Sequence, residues 1–308
     1  MDTTKLRATR ASYGEELIKL GEENDNIVVL DADLSGATKT SGFAKAFPDR
    51  FFNMGIAEQD MFSTAAGLAT AGKTAFASTF AMFASGRAYD QIRNSICYPN
   101  LNVKVCASHA GVTVGEDGAS HQVLEDLSLT RGLPNMVVIS PSDDIQTKWA
   151  VREISKIEGP TYLRLCRLDT PLIYDENQEF EFGKGLQIGE GTDATIFATG
   201  VTVSEAIKAK QILEKKGIDI RVVDIHTIKP IDKELIIKCA KETKKLISIE
   251  DHSIIGGLGT AISEVLIEHH PVHLTKIGIN DEFGKSGKAK ELLEYYGLTA
   301  ENIVKLLV

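Results

Sequence analysis

The sequence predicts an α/β protein of two domains, with buried parallel strands joined by crossover helices. Three observations carry this. Short runs rich in Val, Ile and Leu recur along the chain, each followed by a polar turn and a helical pattern, which is how strands covered on both faces read. The rhythm lapses between residues 167 and 186, where Pro171, Asp175, Asn177 and Gly183 gather without a sustained period. The 308 residues leave room for two cores, at roughly 100–200 residues per domain.

Taken in order, the first domain is expected to hold strands at residues 27–30, 74–77, 103–107, 136–139 and 162–165. Helices are expected over 11–23, 57–70, 83–97 and 144–155, the last capped by Ser142 or Asp143. A second α/β unit then reads as strands at 195–198, 220–224, 246–250 and 274–277. Helices fall between them at 202–216, 232–242 and 258–269.

Composition narrows the function. Charged residues make up 25% and hydrophobic ones 43%, an ordinary globular balance that argues against disordered and fibrous classes. The net charge is −9 and no block of Lys and Arg is present to displace counterions, so nucleic acid is not an expected partner. An anionic small molecule stays open, because a few cations focused in one cleft outweigh a distant acidic surface. The four cysteines, Cys97, Cys106, Cys166 and Cys239, have no paired spacing and read as reduced core thiols. The N-terminus lacks the apolar stretch of a signal peptide, and the longest weakly polar region is broken at Gly72-Lys73. No membrane association is expected, and the address reads as cytoplasmic.

In doubly wound sheets, ligands meet the loops at the carboxyl ends of strands. Expected strands end on Asp31 and Asp33, on Ser108 and His109, and on Arg167, a set that fits one shared cleft. A second candidate runs from Asn53 to Met61, where Gly55 lets the chain turn and Glu58 falls in the first turn of an apolar helix. That carboxylate either balances the helix dipole or performs chemistry. Phe80 and Phe83 stand three apart where a strand runs into a helix, and read as core packing or as the wall of a site. The most specific signal is the Gly-rich run from Ser108 to Gln122, which holds His109, Asp117 and His121 and is too polar for a core. A metal site is not expected there, since neither histidine has a Cys or His partner at ligand spacing.

Ordered segments now carry a resemblance: Thr9-Arg10-Ala11-Ser12-Tyr13-Gly14, Gly55 to Met61, Ser78 to Phe83 with Ala88-Tyr89-Asp90-Gln91-Ile92-Arg93, Ser108 to Gln122, Thr227-Ile228-Lys229-Pro230-Ile231, and Glu250-Asp251-His252 with Gly256-Gly257. Together they resemble the C-terminal half of a transketolase, in that family's order and over nearly the whole chain. The resemblance implies a pyrimidine-binding domain of the thiamine diphosphate fold with a parallel sheet at 1–170, a linker at 171–186 and the smaller transketolase C-terminal domain at 187–308.

It also implies roles. Glu58 matches the glutamate that hydrogen-bonds a ring nitrogen of the thiamine diphosphate aminopyrimidine and selects the tautomer that activates the coenzyme. Phe80 and Phe83 match aromatics that wall the pyrimidine. Arg10, His109 and Arg167 match residues that grip a sugar phosphate. Asp117 matches the acceptor for a sugar hydroxyl, and His121 a catalytic histidine beside the oxygen that changes charge during ketol transfer. The implied reaction moves a two-carbon ketol unit from a ketose phosphate to an aldose phosphate, as in the pentose phosphate pathway.

Two departures stand out: Ala37 occupies the place of a common phosphate-binding serine, and Gly86 lies near that of a third aromatic. No Gly-Asp-Gly segment followed by Asn is present to hold a magnesium diphosphate, nor are histidine-rich N-terminal loops. The resemblance therefore implies one subunit of a split enzyme. A separate N-terminal transketolase subunit would bring the diphosphate-binding domain and Mg2+ or another divalent cation, in a heterotetramer. The competing reading is the beta subunit of a 2-oxoacid dehydrogenase decarboxylating component, which the loop at 115–121 and the two arginines disfavour. A noncatalytic scaffold on this fold would not need Glu58, His109, Asp117 and His121.

Overall fold

The computed structural model describes residues 1–308, the side chains of residues 2 and 3 excepted. Among the described residues, fourteen strands form three sheets. The first ribbon pairs β1 (Asp2–Ala8) with β8 (Asp169–Leu172), antiparallel. The larger sheet contains β2 (Ile27–Asp31), β3 (Phe51–Asn53), β4 (Thr74–Phe80), β5 (Val103–Ser108), β6 (Val137–Ile139), β7 (Thr161–Arg164) and β12 (Thr227–Lys229). Its order is β12-β6-β7-β5-β4-β2-β3, parallel except at β12. The third sheet contains β9 (Leu186–Ile188), β10 (Ala194–Ala198), β11 (Ile220–Asp224), β13 (Leu246–Ser253) and β14 (Leu274–Ile279). Its order is β14-β13-β10-β11-β9, with β9 the antiparallel edge.

Every residue of β2, β4, β5 and β7 is buried, because helices cover both faces. On one face the Glu58–Thr70 helix packs Met61, Phe62 and Ala65 with Leu30, Ala77 and Val105. On the other, the Thr9–Glu23 and Asp144–Lys156 helices bring Tyr13, Leu17, Val151 and Ile154 onto Val29, Phe76 and Leu163. Asp143 caps the latter helix through the Gln146 N–H at 2.8 Å. All four cysteines are buried free thiols.

Several elements differ from the sequence expectation. The helix predicted over 83–97 is not continuous: π turns at Phe83–Arg87 and Ile92–Cys97 flank a single α turn at Tyr89–Gln91. A π turn absorbs an extra residue and rotates the chain beyond it, which a 3.6-residue period does not register. Thr170 and Pro171, inside the irregular stretch, belong to β8, a four-residue ribbon strand too short to show alternation. β12 lies after the second unit has begun, yet it closes the edge of the first unit's sheet against β6. The helices Ala289–Tyr295 and Ala300–Leu307 were not predicted and complete the second unit's core through Leu292, Ile303 and Val304. No helix among the described residues is long and apolar enough to cross a membrane.

Candidate active site

Register builds the site. Phe80 ends β4 directly beside Ser108, the end of β5, so the aromatic and the histidine next to that serine meet at the carboxyl edge of the sheet. His109 adopts φ +58°, a left-handed conformation uncommon for a side-chain-bearing residue. This turns its ring onto Phe80, with centroids 3.8 Å apart and an interplanar angle of 26°.

The partners of His109 place its protons. Arg10 Nη1 lies 3.1 Å from Nε2, and a guanidinium can only donate, so Nε2 accepts. Nδ1, 2.9 Å from Ser108 Oγ, then carries the hydrogen of the neutral ring. Burial, then the charges of Arg10 and Arg167, with His121 and Lys39 adding less, push the His109 pKa down to about 3. His109 is therefore a neutral imidazole that orients Arg10.

Arg10 stands in the first turn of the Thr9–Glu23 helix and also donates to the Ala37 carbonyl at 2.9 Å. The position lacking a serine hydroxyl thus contributes its backbone oxygen. Arg167 donates to Val114 O at 2.7 Å and lies 3.4 Å from Asp117 and 3.8 Å from Glu116. Burial and then the charge of Arg167 depress the Arg10 pKa, so the two guanidiniums share one field. Cations held together in this way form a site for an anion. Lys39, at φ +73°, adds to the same field and was not singled out from sequence.

His121 sets its edge against Phe83, with centroids 5.4 Å apart at 75°, and against Phe80 at 6.2 Å. Its Nδ1 is 3.0 Å from Ser120 Oγ. Phe80 and Phe83 lie nearly parallel, 5.9 Å apart at 12°. Glu58 begins the Glu58–Thr70 helix and is 1% exposed, and its Oε2 accepts from Arg87 Nη1 at 2.8 Å. Arg87 is a residue that sequence reasoning missed. It ends the first π turn, and its guanidinium carbon lies 4.4 Å from the Phe83 ring centroid. No aromatic stands at Gly86.

The structure thus brings Glu58, Phe80, Phe83, His121, His109, Arg10, Arg167 and Asp117 into one cluster linked by direct contacts and shared charge. A pyrimidine fits its features. An aromatic wall stands beside a buried carboxylate whose second oxygen has no hydrogen-bond partner among the described residues. No group of three or more His, Cys, Asp or Glu residues among the described residues is arranged to hold a metal ion.

The doubly wound sheet, with a buried glutamate at a helix start and an aromatic wall at the carboxyl edge, defines an α/β protein built to receive a ligand at that edge. Within that class the chain belongs to the transketolase family. The family's pyrimidine-binding domain matches residues 5–171 and its C-terminal domain matches residues 183–303. The chain is 55% identical to "Putative transketolase C-terminal section" of Methanocaldococcus jannaschii, over 98% of this chain and 96% of that one. It is 41% identical to the 6-deoxy-6-sulfo-D-fructose transketolase subunit SqwH of Clostridium sp. (strain MSTE9), covering 96% and 92%. Rat transketolase is 40% identical over 97% of this chain, which spans only 48% of the rat protein. A solved structure described as a split gene transketolase, inactive beta4 tetramer, superposes with TM-score 0.91 at 53% identity, covering 97% of both chains.

Proposed function

We propose that this chain is one subunit of a thiamine diphosphate-dependent transketolase, completed by a separate N-terminal subunit. The pair transfers a two-carbon ketol unit from a ketose phosphate to an aldose phosphate. One observation carries the reading: His109 joins the two ends of the site, with its ring 3.8 Å from Phe80 and its Nε2 3.1 Å from Arg10. An anion grip is thereby fixed to a coenzyme wall. Similarity to a split gene transketolase along 97% of both chains supports the subunit reading.

Bound thiamine diphosphate would supply the carbon nucleophile that the side chains here cannot. Glu58 holds or shares a proton with a ring nitrogen at its unpartnered oxygen, and Phe80 and Phe83 fix the ring's plane. Arg10 and Arg167 grip the terminal anion of the sugar, with His109 keeping Arg10 in place. Asp117 accepts a hydrogen bond from a sugar hydroxyl. His121, against the aromatic wall, exchanges a proton with the substrate oxygen that changes charge.

The partner subunit would hold the diphosphate with Mg2+ or another divalent cation, in a cytoplasmic heterotetramer. On this reading 1–170 is the pyrimidine-binding domain, 171–186 the linker and 187–308 the C-terminal domain. A second reading of the substrate rests on Ala37 and on the SqwH relative, whose name specifies a sulfo sugar. Arginine forks bind a sulfonate much as they bind a phosphate, so a sulfonated ketose is the alternative donor.

The test mixes the full chain with its N-terminal partner, thiamine diphosphate and Mg2+. It measures ketol transfer from a phosphorylated and from a sulfonated ketose. Transfer that Glu58→Ala abolishes is expected. Carbon dioxide release from a 2-oxoacid without ketol transfer would establish the dehydrogenase reading instead, and full turnover by Glu58→Ala would overturn the assignment.

A further inference from the structure

The second unit reaches into the site at a residue that the chemistry above does not use. Asp251, on β13, is 2% exposed and points its carboxylate at the start of the substrate loop. Oδ1 accepts from the Val112 N–H at 2.9 Å. Oδ2 accepts from the Thr113 hydroxyl at 2.7 Å and from the Thr113 N–H at 3.3 Å. The approach requires glycine at 111, where a Cβ would lie 2.2 Å from Asp251 Oδ2. The backbone of Asp251 is held in turn, since its carbonyl accepts from Arg164 Nη2 at 2.9 Å and Arg164 is paired with buried Asp126.

A second hold lies further along the same loop. Gln122 Nε2 donates to Gly115 O at 3.0 Å and to Lys285 O at 2.9 Å, tying the loop to the segment after β14. Between the two holds lie Val114, whose carbonyl receives Arg167, and Asp117, 3.4 Å from the same arginine; His121 lies next to Gln122. A buried carboxylate is costly unless its acceptor sites are filled. Asp251 fills its sites with the backbone of a loop more than a hundred residues away, so its burial is coupled to that loop's position.

We propose that Asp251 is a positioning residue for substrate binding: from the second unit it fixes residues 112–114, and through them the placement of Arg167 and Asp117. The substrate part of this proposal rests on the transketolase reading; the loop-fixing part does not.

Hydrogen exchange on the full chain, together with kinetics of the chain reconstituted with its N-terminal subunit, tests it. In Asp251→Asn the amides of 112–121 should exchange at least about tenfold faster, while those of β4 and β10 stay unchanged. KM for the anionic sugar should rise by roughly tenfold with kcat within about threefold, the pattern of lost positioning in binding. Thr113→Val, which removes the hydroxyl arm from the other side, should show the same pattern more weakly, and decides the question if Asp251→Asn does not fold. Unchanged loop protection in the variants, or protection lost uniformly along the chain, overturns the proposal. So does a fall in kcat at constant KM. Absence of ketol transfer in the unmodified pair would sink the functional reading, leaving exchange to judge whether Asp251 fixes the loop.

Discussion

Arg87 donates to the buried carboxylate of Glu58 at 2.8 Å while its guanidinium covers the Phe83 ring. The acid proposed to act on the coenzyme is therefore held by a cation that also lies on the aromatic wall. Glu58 is 1% exposed, whereas the Arg87 side chain is 46% exposed. Arg87→Met should lower stability by about 1 kcal/mol, the low end of the cost of unpairing a buried acceptor, because water reaches the arginine side of the pair. Denaturant unfolding measures this, and an unchanged midpoint would show that the pair contributes nothing.

Acid should weaken the fold through the histidines. Burial, joined at His109 by the charges of Arg10 and Arg167, pushes the His109 pKa down to about 3 and the His226 pKa down to about 4, from the ordinary imidazole value of 6.5. The unfolded chain then binds more protons than the folded one between those values, so this contribution is complete above pH 6.5 and is lost as pH falls. Each group adds up to about 1.4 kcal/mol per pH unit across its window. His109→Gln should flatten the pH dependence of unfolding between roughly pH 3 and 6.5.

Asp224 acts in the opposite direction. Burial raises its pKa from 3.8 to about 6, despite hydrogen bonds from Tyr174, Ser142 and Gln146. Its folded form holds a proton that the unfolded form has released, so its contribution is present below the unfolded value and is lost as pH rises through about 6. Asp224→Asn should therefore make the acid loss of stability steeper between these values, as read from unfolding midpoints at successive pH values.

The anion grip predicts a selective kinetic defect. Arg10→Ala should raise KM for a phosphorylated or sulfonated sugar by roughly tenfold to a hundredfold and leave the uncharged analogue nearly unaffected, since a charge-assisted pair is lost. Arg10→Lys should rescue little, because an ammonium cannot reproduce the fork shared among His109, Ala37 and the ligand. Equal loss on charged and uncharged substrates would place Arg10 outside the grip.

Ala37 offers the reverse experiment. Ala37→Ser sets a hydroxyl beside the carbonyl that Arg10 already touches. KM for a phosphorylated sugar should fall by about fivefold, corresponding to one hydrogen bond of about 1 kcal/mol. An improvement for a sulfonated sugar alone would favour the second reading of the substrate.

Burial and local order decided how much of the fold and site was legible in the sequence. β2, β4, β5 and β7 are covered on both faces and stand out as apolar runs, whereas β3 and β12 have three residues each and carry no period. His109, Asp117 and His121 lie in one compact run too polar for a core, and Glu58 stands at a helix start where a carboxylate is visible in the sequence though the dipole alone could account for it. Arg87 was hidden because the π turn at Phe83–Arg87 shifts the helical phase that would have placed it. Asp251 could be seen within Glu250-Asp251-His252, but its hold on Val112 is a pairing across the fold that no local pattern encodes.

The antiparallel pairing of Thr227–Lys229 with Val138–Ile139 makes the two halves of the polypeptide mutually dependent. Separating the halves near residue 180 would strip β6 of one of its two neighbours and leave open backbone donors and acceptors on that edge that invite self-association. The boundary drawn by sequence families is thus not a boundary of autonomy, and neither half is a free-standing module that a gene fusion could borrow.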